Sequence, residues 1–333
     1  MRRYISRPAL RLDLTLLYWV IPKEDDVIGS ILDAIGNTPV VRLRKIVAPG
    51  SADVIVKLEY FNPTGSYKDR MALAMIEEAE KRGALRPGMR VVEYTGGSTG
   101  SSLAMVCAVK GYRFEPLSSN AFAHEKILTM RAFGASVSLV HSEDGKITPE
   151  LFAKFKEEIA RLAAEPGTYY TDQMNNPDSI AGYRKIGEEL LRQLDGKISA
   201  FCGAVGTGGM LTGVSRALRG AGCTARIIAL EPAASPVITK GTAGAHRVEG
   251  IGIGFWPRNL SRDDFDEARA IEEAAAREMA KRLAKEEGIL AGTSTGLNVA
   301  AAVELAKELG PGATVVTVAC DTGLKYLAGD LFT

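Results

Sequence analysis

The stretch EYFNPTGSYKDR, Glu59 to Arg70, sets Lys68 between the end of an apolar run and the start of a helical pattern. A lysine held partly out of water has a lowered pKa, so its free amine can form a Schiff base with an aldehyde and later carry a proton. The ordinary alternative is a lysine whose stem packs while its charge reaches water. Three turns rich in glycine and hydroxyls accompany it. GTGGM, Gly206 to Met210, stands between a strand pattern and a helical one, and its amides plus the positive helix end suit a phosphate. TGGSTG, Thr95 to Gly100, presents the hydroxyls of Thr95, Ser98 and Thr99 and is sized for a carboxylate. AGTSTG, Ala291 to Gly296, is a third turn of the kind. Taken singly, each is served equally by a helix cap or close helix packing. Two anion-holding turns and one lysine together suit a phosphorylated aldehyde cofactor meeting an amino acid. GTGGM lacks the GxGxxG spacing, and no acidic residue stands about 20 positions on at a second strand end, which disfavours NAD.

These residues need a scaffold of strands, turns and helices, and the chain repeats that grammar. Asp53 to Leu58 (DVIVKL), Arg90 to Tyr94, Ser199 to Val205, Arg226 to Leu230 and Thr314 to Ala319 read as strands. Met71 to Arg82, the segment through Val109 and the segment from Leu211 read as helices. The charged run Ala268 to Glu287 reads as the solvated face of amphipathic helix. Alternating strands and helices predict an α/β fold with mostly parallel sheets and a site at the carboxyl ends of the strands. The expected organisation is an extension at 1–27, a domain at 28–172 carrying Lys68 and TGGSTG, and a domain at 173–333 carrying GTGGM.

With 333 residues, 46% apolar and 24% charged, the chain is long enough for two such cores. A net charge of +1 without a basic block leaves no footprint for nucleic acid or an anionic membrane. Cys107, Cys202, Cys223 and Cys320 lie far apart, which argues against a zinc ribbon or disulfide framework and fits a reducing cytoplasm. Near the start, Arg11 and Asp13 leave the apolar run at Leu14 to Ile21 too short for export or a membrane span. His124, His141 and His246 lack ligand spacing, so no metal is expected. Cys202 and Cys320 read as core, and Asp321 reads equally as pocket lining or as a turn residue.

Seven motifs stand in an order that resembles the cysteine synthase and cystathionine β-synthase family, fold type II pyridoxal phosphate enzymes of the tryptophan synthase β type. They are NTPVVRL (from Asn37), KLEYFNPTGSYKDR (from Lys57), TGGSTG, QMNNPD (from Gln173), GTGGMLTG (from Gly206), EGIGIGFWP (from Glu249) and EEGILAGTSTG (from Glu286). The resemblance spans about residues 28 to 330 and implies two three-layer α/β domains, a homodimer and pyridoxal 5'-phosphate. Lys68 corresponds to the Schiff-base lysine. Gly206, Thr207, Gly208, Gly209 and Met210 correspond to the phosphate cradle, and Ser294 to the serine at the pyridine nitrogen. Thr95, Gly96, Ser98, Thr99, Gln173 and Gly252 would line the substrate site, with Ser98 also touching the cofactor.

The implied activity is β-replacement or β-elimination on a serine-derived amino acid, above all cysteine synthesis from O-acetylserine and sulfide. Cysteine desulfhydrase, serine or threonine dehydratase and racemase activities of the same fold are the alternatives, and a reduced paralogue that only binds a ligand or partner belongs to another class. Residues 1–27 hold no cysteine or histidine for haem, and no paired regulatory domains are expected after the last motif. The chain departs from the family where TSGNTG is usual: Gly96 replaces serine and Ser98 replaces asparagine, giving one hydroxyl for an amide that both donates and accepts. Met210 replaces a threonine and removes a phosphate donor, worth about 1.5–3 kcal/mol. Closure of the smaller domain would involve residues 112–148.

Overall fold

The computed structural model describes residues 27–122, 124–143 and 149–333. The extension expected at 1–27 therefore lies outside the described residues except for Val27, as does part of the segment expected to close.

Strands β1 (Val40–Arg42) and β2 (Asp53–Leu58) lead into helix α1 (Lys68–Lys81). Next come β3 (Arg90–Tyr94), α2 (Ser98–Lys110), β4 (Arg113–Ser118), α3 (His124–Ala132), β5 (Ser138–Leu139), α4 (Pro149–Ala163) and β6 (Thr168–Tyr170). The chain continues through α5 (Asp178–Gln193), β7 (Ala200–Ala204), α6 (Gly209–Gly220), β8 (Arg226–Pro232) and α7 (Val237–Lys240). It ends with β9 (Glu267–Ile271), α8 (Glu273–Arg282), α9 (Thr293–Leu309) and β10 (Thr314–Ala319).

The strands form two sheets. The larger has six strands in the order β1-β2-β10-β7-β8-β9, parallel except for β1; the smaller has four parallel strands in the order β5-β4-β3-β6. Sheets covered on both faces need strands that are apolar throughout, and β7 (AFCGA) and β10 (TVVTVA) are buried nearly end to end. Alternation still assigns faces along β2: Ile55 joins the core under α1, α2, α5 and α6, whereas Val54, Val56 and Leu58 join the core under α8 and α9. Strands from either side of residue 172 share the larger sheet, because β10 inserts between β2 and β7.

The charged run at 268–287 is not one helix. Its first part is β9, an edge strand on β8, where Arg269 bonds both carboxylate oxygens of Glu308 at 2.6 and 2.7 Å. An edge strand with one open side tolerates such charges, so helical composition loses to pairing with β8. The helix α8 begins only at Glu273.

A buried charge cluster ties β2 to α1 and α5. Arg70 meets Glu59 at 2.6 Å and Glu189 at 2.7 Å, and Lys57 meets Glu189 at 2.7 Å. Burial pushes the Glu189 carboxyl up, but hydrogen bonds and charge from Arg70 and Lys57 outweigh it and hold the group down at about 2. Two cations meet two carboxylates here, so the cluster is internally neutral.

Candidate active site

Parallel strands deliver their following loops to one edge. In the larger sheet β2, β10 and β7 are neighbours, so the loop leading to Lys68, the segment Cys320–Asp321 and the glycine turn at 206–209 emerge side by side. Bridges Ser66 to Asp321 and Ala291 to Thr322 bring in the turn before α9, which carries Ser294. In the smaller sheet β3 and β6 are neighbours, so Thr95–Thr99 and Gln173 emerge together.

Lys68 is the first residue of α1. Asp69 shapes the turn before it, accepting from the Thr64 amide at 2.8 Å and the Thr64 hydroxyl at 2.5 Å, and Ser66 Oγ accepts from the Lys68 amide at 3.2 Å. The Lys68 ammonium lies 4.2 Å from the centre of the Tyr67 ring and reaches Tyr183 Oη at 3.4 Å. No carboxylate stands within ion-pair distance of it among the described residues. Burial pushes this amine down to about 8, partly opposed by Cys320 and Asp321 and reinforced by the charge of Lys325.

The turn at 206–209 is built so that backbone can approach. A Cβ at Gly206 would stand 2.5 Å from the Gly250 carbonyl oxygen, and Gly208 has φ +85°. The first amides of α6, which have no partner inside the helix, follow directly on the turn whose Gly206 lines a cleft with Val205, Glu231 and Gly252. Thr207 is half-buried in this turn. Met210 has its side chain in the core, close under Gly203, which leaves the amide as its contribution to an anion site. The Gly252 amide donates to Val205 O at 3.0 Å, and His246 Nε2 meets Gly252 O at 2.9 Å, so Gly252 belongs to the phosphate-loop side of the site. Ser294 is buried in the first turn of α9, with its hydroxyl against the Cys320 thiol. Cys202 and Cys320 are both buried.

On the smaller sheet Thr95 and Thr99 are buried, and Ser98 opens α2. Gly96 has a steric reason: a Cβ there would lie 2.0 Å from Phe122 Cγ. That ring stacks on Phe155 at 6.2 Å, which stacks on Tyr94 at 5.7 Å. Gln173 donates its side-chain amide to Tyr94 O at 3.1 Å. Its backbone amide donates to Glu93 Oε2 at 2.9 Å, and Thr171 Oγ1 donates to the same oxygen at 2.5 Å. Burial pushes the Glu93 carboxyl up to about 7 against these hydrogen bonds.

The two sheets meet at Ser98, whose hydroxyl donates to Asp321 Oδ2 at 3.4 Å and accepts from Lys325 Nζ at 3.2 Å. Tyr326 Oη donates to the same Asp321 oxygen at 2.6 Å. Asp321 thus lines the site. Sequence reasoning did not find Lys325, Tyr183, Phe122 or Glu93. Glu93 alone carried a signal, as the acidic residue beside two valines inside the strand RVVEY before TGGSTG.

Comparison with known proteins places this arrangement. The family described as pyridoxal-phosphate dependent enzyme matches residues 31–321. A cysteine synthase of Staphylococcus aureus (strain N315) is 44% identical over 307 residues, covering 92% of this chain and 97% of the relative. The crystal structure of a cysteine synthase from Entamoeba histolytica superposes with a TM-score of 0.86 at 32% identity, covering 100% of this chain and 94% of that one. An O-ureido-L-serine synthase structure gives a TM-score of 0.85 at 36% identity, covering 92% and 95%.

Proposed function

The chain belongs to the pyridoxal-phosphate dependent enzyme family, and from that premise we propose that it exchanges the β-substituent of a serine-derived amino acid, O-acetylserine or a close relative, for sulfide. The cofactor dependence and the cysteine synthase-like β-replacement chemistry follow from the relatives; the substrate and the residue roles are our reading. The observation that carries it is a half-buried lysine without a carboxylate partner among the described residues, in a loop beside a glycine turn that presents helix-end amides.

The donor set fits pyridoxal phosphate. The amides of Gly206–Met210 would hold the phosphate, Lys68 the aldehyde carbon, and Ser294 the ring nitrogen. When bound, the cofactor withdraws electrons from Cα of the attached amino acid, which acidifies the Cα proton and lets a group on Cβ leave. A serine at the nitrogen favours prompt loss of that group, because its hydroxyl is too weak an acid to protonate the ring.

Thr95, Thr99 and Gln173, with the Ser98 backbone amide at the start of α2, would grip the substrate carboxylate, and the grip would orient Cα towards Lys68. The neutral Lys68 amine then takes the Cα proton, a role suited to a base near pH 8. Sulfide adds to the vacated Cβ. Water reaching Cα instead, once the group on Cβ has left, would release the nitrogen and give pyruvate and ammonia, so the Phe122–Phe155 stack beside the loop would serve the outcome by keeping the cleft dry.

We also propose a homodimer in a reducing cytoplasm, on the support of exposed Ile28, Ile31 and Phe61 and of buried, unpaired Cys107, Cys202 and Cys320. No helix among the described residues is long and apolar enough to cross a membrane. Light scattering should give twice the chain mass.

The test is an absorbance spectrum of the purified protein with pyridoxal phosphate, followed by titration with O-acetylserine, serine and cysteine. A visible cofactor band lost in Lys68→Ala, and shifted by one of these amino acids, supports the assignment. A wild-type protein without that band at saturating cofactor overturns it.

A further inference from the structure

The loop that should hold the substrate carboxylate is short of donors, since Ser98 stands where an amide would both give and take a hydrogen bond. The structure supplies a donor from elsewhere. Lys325, in the short turn Gly323–Tyr326 after β10, extends its ammonium to Ser98 Oγ at 3.2 Å. Ser98 passes its own proton towards Asp321 Oδ2, which Tyr326 Oη also serves, so the direction of the chain is Lys325 to Ser98 to Asp321.

An ammonium has three donors and Ser98 uses one. No carboxylate lies within ion-pair distance of Lys325 among the described residues, and two hydroxyls engage Asp321 through Oδ2, leaving its buried Oδ1 without a hydrogen bond. The cation is therefore only partly balanced, at the mouth of a helix whose first turn already favours an anion. Burial lowers its proton affinity while the charges of Asp321 and Asp69 raise it, as for a cation enclosed with carboxylates beyond contact distance.

We infer that Lys325 is a further substrate-binding residue: its ammonium, seated on Ser98, takes the α-carboxylate of the amino acid and does the work of the missing amide. This rests on the reading of the site given above. It makes the loop's grip depend on charge, where a neutral amide would have made it depend on hydrogen-bond geometry alone.

The experiment compares L-alanine, which has no leaving group on Cβ, with L-alaninamide, which lacks the carboxylate charge. Both are titrated into the cofactor-loaded protein and followed by the shift of the visible band and by calorimetry. Lys325→Met should weaken alanine binding about ten- to a hundredfold, the range of one charge-assisted hydrogen bond, and leave alaninamide within about threefold. Lys325→Arg should keep most of the preference for alanine, and it serves where the methionine variant does not fold or hold cofactor. Equal weakening of both ligands in Lys325→Met, or no change in either, overturns the assignment, as does loss of the preference in Lys325→Arg. If neither ligand perturbs the wild-type spectrum, the reading of the whole site falls and this inference with it; if the wild type responds and the variant responds alike, only Lys325 is misassigned.

Discussion

At the residue scale, Lys68 sets a pH dependence whose sign follows from its environment. Attack on an aldehyde needs the neutral amine, and burial brings that form within reach near pH 8. The rate of cofactor uptake by the apoprotein should rise with pH up to about 8 and level off above it, as stopped-flow absorbance would show; a rate that keeps rising towards the ordinary lysine value of 10.5 would mean an unshifted amine. Gly96 gives a second prediction. Serine there meets the Phe122 ring, so Gly96→Ser should cost about 1–3 kcal/mol by thermal or denaturant unfolding, and much less when Phe122 is already alanine. The places of Lys68, GTGGM and TGGSTG at strand ends were legible because each sits in a local motif with its own physical logic. The contacts of Lys325 with Ser98 and of Phe122 with Gly96 were not, since each partner comes from a different part of the chain and only tertiary structure pairs them.

At the element scale, the site's precision depends on how firmly α1 is held. Arg70 lies two positions after Lys68 and is fastened to Glu59 and Glu189 inside the protein. Arg70→Met would leave Glu189 with Lys57 alone and Glu59 with no cation in ion-pair contact, and we expect a loss of about 3–5 kcal/mol in unfolding free energy. The folded-state pKa of Glu189 is depressed, so its stabilisation is complete above its ordinary 4.5 and lost as pH falls towards about 2. Acid unfolding of the wild type should therefore steepen in that window, and Glu189→Gln should flatten it. The strands at 53–58, 90–94 and 314–319 were legible to the residue because parallel strands must be apolar on both faces. β9 was not, because an edge strand with ion-paired side chains has the composition of an exposed helix.

At the scale of the whole molecule, polar side-chain contacts among the described residues join loops and helices of the two sheets. One is the ion pair between Lys126 of α3 and Glu249 of the loop beside the phosphate turn; the same ammonium lies 5.0 Å from the centre of the Tyr326 ring. If this contact helps to keep the cleft closed, Lys126→Ala should raise pyruvate release relative to replacement product by roughly two- to tenfold at saturating sulfide, with kcat for replacement changed less. An unchanged product ratio would mean that the contact is incidental to closure. The α/β class and the strand-end location of the site were legible from the alternation of elements, whereas the insertion of β10 between β2 and β7 was not, because strand order leaves no trace in local pattern. That insertion bears on how the protein is born. On the ribosome β2 emerges early, yet its parallel neighbour is made last, roughly 10–50 s later at ordinary elongation rates. Until then Lys68 has no Cys320 or Asp321 beside it and the larger sheet lies open down its middle, exposing strand edges that invite wrong partners. A nascent chain stalled before β10 should be protease-sensitive and blind to pyridoxal phosphate, and cofactor capture becomes a mark that β10 has been made and inserted.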